Sequence, residues 1–192
     1  MNQQDVLTIL GDKEIQKNLD MLGQIHMLTK HYLLIAEELS EEGVTFLQPL
    51  KEHRDAYDHL MRVFYLPTRL ETSEIVSNFD STVYIRKNVE KAVGHEYRAF
   101  FDMADWLTFI CRRKIREELS FQRVRQAYAS QYGTENYQSV KELVNTVYLT
   151  IAQYRTEKDI GKAGPALQDV LSYQKTIDQL LDIYKKVMTL DV

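Results

Sequence analysis

Residues 81–119 read STVYIRKNVEKAVGHEYRAFFDMADWLTFICRRKIREEL, and the spacing of their apolar side chains decides the fold class. Ile85, Val89, Ala92, Ala99, Met103, Leu107, Ile110 and Ile115 recur in steps that place them on one helical stripe, with Glu96 on the same row and Phe100 and Trp106 widening it. No proline interrupts the run, and Gly94 marks a bend or a close helix contact, not a stop. Unbroken, such a helix spans about 55 Å at 1.5 Å per residue, longer than a compact domain of this size is wide.

Working outward, the rest of the chain repeats this pattern. Ile15, Leu19, Leu22, Ile25, Leu28, Tyr32, Ile35 and Leu39 predict a first helix over residues 12–39, which Gly43 would close. A second helix carries Leu50, Tyr57, Leu60, Met61 and Phe64; Pro49 sits in its first turn and it is expected to end before Pro67, after about 16 to 20 residues. Thr72 or Ser73 would then cap the long helix. Residues 121–132 form a short helix before a turn at 131–136. Val140, Leu143, Val144, Val147, Ile151 and Tyr154 make the next helix, stopped at Gly161–Pro165, and Leu167 to Val187 carry the last. The expectation is a single all-α domain over residues 1–192, a bundle of five or six amphipathic helices with one long member.

Composition agrees. With 7 Gly and 3 Pro in 192 residues, the chain lacks the turn residues that a sandwich, barrel or doubly wound sheet would need. Hydrophobic residues at 44% and charged residues at 27% place it with folded globular chains. A net charge of −4 is too balanced for a general nucleic-acid or membrane-surface binder. The N-terminal stretch has no basic region followed by a long apolar run, and no segment approaches the roughly 20 apolar residues of a membrane span, so a cytoplasmic protein without membrane contact is expected. Cys111 is the only cysteine, which leaves no intramolecular disulfide and no cysteine-based zinc site; it reads as a small buried hydrophobe.

The densest polar cluster on an apolar helix runs from Lys51 to Arg62 and contains Arg54, Asp55, Asp58 and His59. An imidazole can move a proton from a ribose 2′-hydroxyl, and a guanidinium can bind the scissile phosphate, so such a pair can cleave RNA without metal. Five residues turn Arg54 and His59 roughly 140° apart on one helix, and a two-fold partner would bring both pairs into one groove. The alternative is structural: Arg54 paired with Asp58 at i, i+4, and His59 filling a niche between helices.

Arg54-Asp55-Ala56-Tyr57-Asp58-His59 resembles the signature of the HEPN superfamily (higher eukaryotes and prokaryotes nucleotide-binding), an Arg followed after four to six residues by His, with a polar residue directly after the Arg. The resemblance implies an all-helical, metal-independent ribonuclease or its inactive relative in a bacterial defence or toxin system, with Arg54 and His59 catalytic and Asp55 as the polar second position. It implies no cofactor.

A second cluster, His95, Arg98 and Asp102, shares one face of the long helix, and polar groups set among Val93, Phe100 and Met103 need partners if buried. A facing helix carrying Arg54, Asp58 and His59 would supply them. His26 and His31, five apart, do not share a face suited to metal binding and read as surface or packing residues. The basic residues Arg112, Arg113, Lys114, Arg116, Arg123 and Arg125 could touch phosphates, with Phe121 and nearby tyrosines stacking bases, or form a solvated face. The long helix would find its simplest cover in a second copy, so a homodimer is expected. The competing function is a non-catalytic helical interaction or scaffold protein, an accessory subunit binding protein or RNA through Tyr-rich surfaces.

Overall fold

A computed structural model describes residues 2–40, 46–72, 80–157 and 166–191. Every regular element among them is helical: α1 (Gln3–Leu10), α2 (Lys13–Leu39), α3 (Leu47–Thr72), α4 (Ser81–Glu118), α5 (Gln122–Tyr132), α6 (Thr134–Glu157) and α7 (Ala166–Met188). The all-α class thus holds, with seven helices among the described residues in place of five or six. No described helix is long and apolar enough to cross a membrane. The expected stops at Gly43 and at Gly161–Pro165 lie outside the described residues.

The added helix is α1. Asn2 caps it by accepting from the Asp5 amide, and the Asp5 carboxylate accepts in return from the Asn2 amide, a reciprocal capping box. Val6 and Leu10, one turn apart, are its buried residues. Asp12 then opens α2 by accepting from the amides of Glu14 and Ile15.

The end of α3 and the residue that caps α4 differ from the expectation. α3 does not end before Pro67 but continues to Thr72 with Pro67 inside it. Thr72 is therefore the last residue of α3, and Asp80 caps α4 by accepting from the Val83 amide. A proline inside a helix costs about 3 kcal/mol by removing one hydrogen bond and crowding the preceding turn. Val63 and Leu66, in the turn before Pro67, are buried in a cluster with Val6, Leu10, Ile15, Ile85 and Val89.

The chain divides into two compact units. The first takes α1, α3, α2 up to His31 and α4 up to Asp102; its core is the cluster above together with Ile25, Ala56, Tyr97 and Phe100. The second takes α2 from Tyr32, α4 from Met103, and α5, α6 and most of α7. Its core includes Leu107, Ile115, Tyr128, Val144, Tyr173 and Ile177. Within it, buried Tyr32 and Tyr173 donate to Asp178 and Asp105 at 2.6 and 2.8 Å. α5 passes into α6 through Gly133, whose φ of +94° is the left-handed backbone that glycine accepts without strain. Gly94 needs no such account, since α4 runs straight through it.

Candidate functional site

α3 carries two opposed faces. Ala56, Val63, Leu66 and Pro67 are buried, with Glu52, His53 and His59 half-buried beside them. Leu50, Tyr57, Met61, Phe64 and Tyr65 are exposed, so four of the five side chains expected in the core, Leu50, Tyr57, Met61 and Phe64, face solvent. Both faces are apolar enough to make a stripe, and the small Ala56 gave the inward one too little weight.

The inward arc of α3 meets α4 and α2 in a layer of histidines and carboxylates, all within the first unit. It gathers His26, His53, His59 and His95, four of the five histidines of the chain. The imidazoles of His59 and His95 stack, centroids 5.3 Å apart and planes 27° from parallel. His59 places Nδ1 at 2.9 Å from Oδ1 of Asn88, while the Asn88 amide nitrogen donates to the Tyr84 carbonyl at 2.9 Å. That second bond turns the amide oxygen toward His59. An amide oxygen only accepts, so Nδ1 of His59 carries a hydrogen, which leaves Nε2 as the nitrogen that accepts when the ring is neutral.

His95 and Arg98 share the Glu52 carboxylate. Nδ1 of His95 lies 2.8 Å and Nε of Arg98 2.9 Å from the same oxygen, Oε2. Nη2 of Arg98 also approaches Nδ1 of His95 at 2.6 Å; that nitrogen can donate to Glu52 or accept from Arg98, not both. Farther along the layer, His53 and His26 both direct Nδ1 to Oε1 of Glu96, at 2.9 and 3.3 Å, with the two rings edge to face. Glu96 is 4% exposed, and its other oxygen, Oε2, has no hydrogen-bond partner among the described residues.

The residues singled out from sequence separate into two groups. His59, His95 and Arg98 come together in this layer. Arg54 does not join them: its side chain is 72% exposed and its Nε and Nη2 donate to the neighbouring Asp55 at 2.9 and 2.8 Å. That contact holds the Asp55 carboxyl below its ordinary range. Asp58 pairs with Arg62, one turn on, rather than with Arg54. Asp102 is half-buried on α4, one turn beyond Arg98. Glu52, His53, Asn88 and Glu96, which complete the layer, were not singled out. The signal for Glu96 was its place on an otherwise apolar stripe.

The basic run of α4 and α5 spends much of its charge on the protein itself. Arg112 donates to the Thr108 carbonyl, Arg116 to that of Val144, and Arg125 to those of Leu119 and Ser120. These guanidiniums cap and tie helices. Comparison with protein-family models, with curated proteins and with solved structures gives no match for this chain.

Proposed function

We propose that the chain is a HEPN-like, metal-independent ribonuclease of a bacterial defence or toxin system, with His59 as the proton-transfer group and Arg54 as the phosphate clamp. The observation that carries the reading is the tautomer of His59. With Nδ1–H held by Asn88, Nε2 is the basic nitrogen, and the imidazolium formed on taking up a proton keeps its hydrogen bond to Asn88. In the proposed reaction His59 Nε2 accepts the ribose 2′-hydroxyl proton, the 2′-oxygen attacks phosphorus, and the 5′-oxygen departs with a proton from solvent. The product is a 2′,3′-cyclic phosphate. Arg54 is on the solvent side of α3, where a phosphate can compete with Asp55 for its guanidinium.

Arg54 and His59 lie on different faces of α3, so the reading includes a homodimer in which one copy's Arg54 serves the other's groove. The exposed row Leu50, Tyr57, Met61, Phe64 and Tyr65 offers the contact surface. The test is cleavage of end-labelled single-stranded RNA in EDTA by wild type, His59→Ala and Arg54→Ala at matched helical content. Loss of cleavage in both variants supports the proposal. Equal activity in all three identifies a contaminating nuclease and ends it.

A second reading has its own observation. The same exposed row suits a non-catalytic interaction protein that docks a partner along α3. In that case no sample cleaves RNA, and Tyr57→Glu with Phe64→Glu abolishes association while leaving thermal stability unchanged.

A further inference from the structure

We propose that His26, His53 and Glu96 form a binding site for one divalent transition-metal ion, held between α2, α3 and α4. The site is separate from the ribonuclease reading, since it uses neither Arg54 nor His59.

One donor atom from each of the three residues lies within 4.8 Å of the others. The two imidazole nitrogens stand 3.3 and 2.9 Å from Oε1 of Glu96. Bonds of 2.0–2.1 Å to a tetrahedral zinc ion put neighbouring donors about 3.3–3.4 Å apart, so the His26–Glu96 pair already has that spacing and the His53–Glu96 pair falls short of it by about 0.5 Å, and ligation exchanges each Nδ1 hydrogen for the metal. Two imidazoles and a carboxylate are also a donor set that such ions accept, with a fourth position left for water or a ligand.

Glu96 supplies the independent reason. Two neutral imidazoles donating Nδ1–H to Oε1 account for that oxygen, but they leave Oε2 buried with no protein partner among the described residues. A carboxylate in such a place is costly unless a cation or a full set of donors compensates it. A dication ligated by Glu96 does so. The layer is also graded from inside to outside: Glu96 is at the bottom, His53 is 17% exposed and His26 46% exposed, which leaves an entry path along α2.

The test uses the tag-free full chain, stripped with chelator and titrated with zinc(II) in competition with a chromogenic chelator near neutral pH. The expected result is one zinc per chain, with a rise in melting temperature on loading. His26→Ala and Glu96→Gln should each weaken binding roughly tenfold or more, while His31→Ala, outside the layer, binds as wild type does. His26 is half-exposed, so His26→Ala keeps the fold even where Glu96→Gln does not, and circular dichroism checks both. Cobalt(II) adds a second readout through visible bands that wild type shows and His26→Ala lacks. Wild type that takes up no zinc, or His26→Ala that takes up zinc and cobalt as wild type does, overturns the site. Loss of binding in His31→Ala equal to that in His26→Ala does the same, because it assigns the metal to a surface of α2.

Discussion

Oδ1 of Asn88 and Nδ1 of His59 are 2.9 Å apart, and the orientation of the Asn88 amide toward the Tyr84 carbonyl decides which imidazole nitrogen is basic. Replacing Asn88 by alanine leaves His59 without its acceptor. The expected cost is about 1–2 kcal/mol in urea denaturation and, on the proposed ribonuclease reading, a drop in RNA cleavage larger than the unfolded fraction explains. Cleavage that follows the folded fraction alone would limit Asn88 to a packing role.

Glu52 accepts from Arg98 and lies against Nδ1 of His95 from a half-buried position. Glu52→Ala leaves Arg98 and His95 facing each other without a carboxylate, and a loss of roughly 2–4 kcal/mol is expected, with Glu52→Gln losing less because it keeps an acceptor. A loss below about 0.5 kcal/mol would show that solvent already screens the group.

Cys111 is 1% exposed, and burial pushes its thiol up to about 12 from an ordinary 9.0. The native chain should therefore resist a disulfide reagent at mildly alkaline pH and react with one equivalent once unfolded in urea. Rapid labelling without denaturant would show that this part of α4 opens readily.

Burial, and then the hydrogen bond to Asp178, raises the pKa of Tyr32 above its ordinary 10.0. The folded chain binds this proton more tightly than the unfolded one. Its contribution is whole below pH 10.0 and is lost as the pH rises beyond it. Tyr32→Phe should cost about 1 kcal/mol at neutral pH and show a shallower decline of stability in the alkaline range, read from denaturation midpoints against pH. Parallel declines in the two proteins would exclude Tyr32 as the source.

The helical class was legible because period and scarce turn residues agree, and the long α4 was legible almost to its ends. The register of α2 was less so. Its buried row, Ile15, Asn18, Met21, Ile25, Thr29, Tyr32 and Ala36, shares Ile15, Ile25 and Tyr32 with the expected stripe, whose Leu19, Leu22, Leu28 and Ile35 are only half-buried. Thr29 is hidden because its hydroxyl donates to the Ile25 carbonyl, a local bond that hydropathy does not register. α3 is read less well because it has two apolar faces, and only the packing of Val63 and Leu66 against α1, α2 and α4 selects one. In the site, the meeting of His59 with His95 followed from matching polar clusters on two helices. His26 had no such cluster around it on α2, and its approach to Glu96, seventy residues away, arises only from tertiary folding.

α2 and α4 each contribute residues to both units, and the stretches that make one unit alternate along the chain with those that make the other. A cut after His31 or after Asp102 would therefore sever a helix and strip both cores at once. Neither unit is a contiguous stretch of sequence, so neither can be excised as a single segment without cutting through α2 and α4.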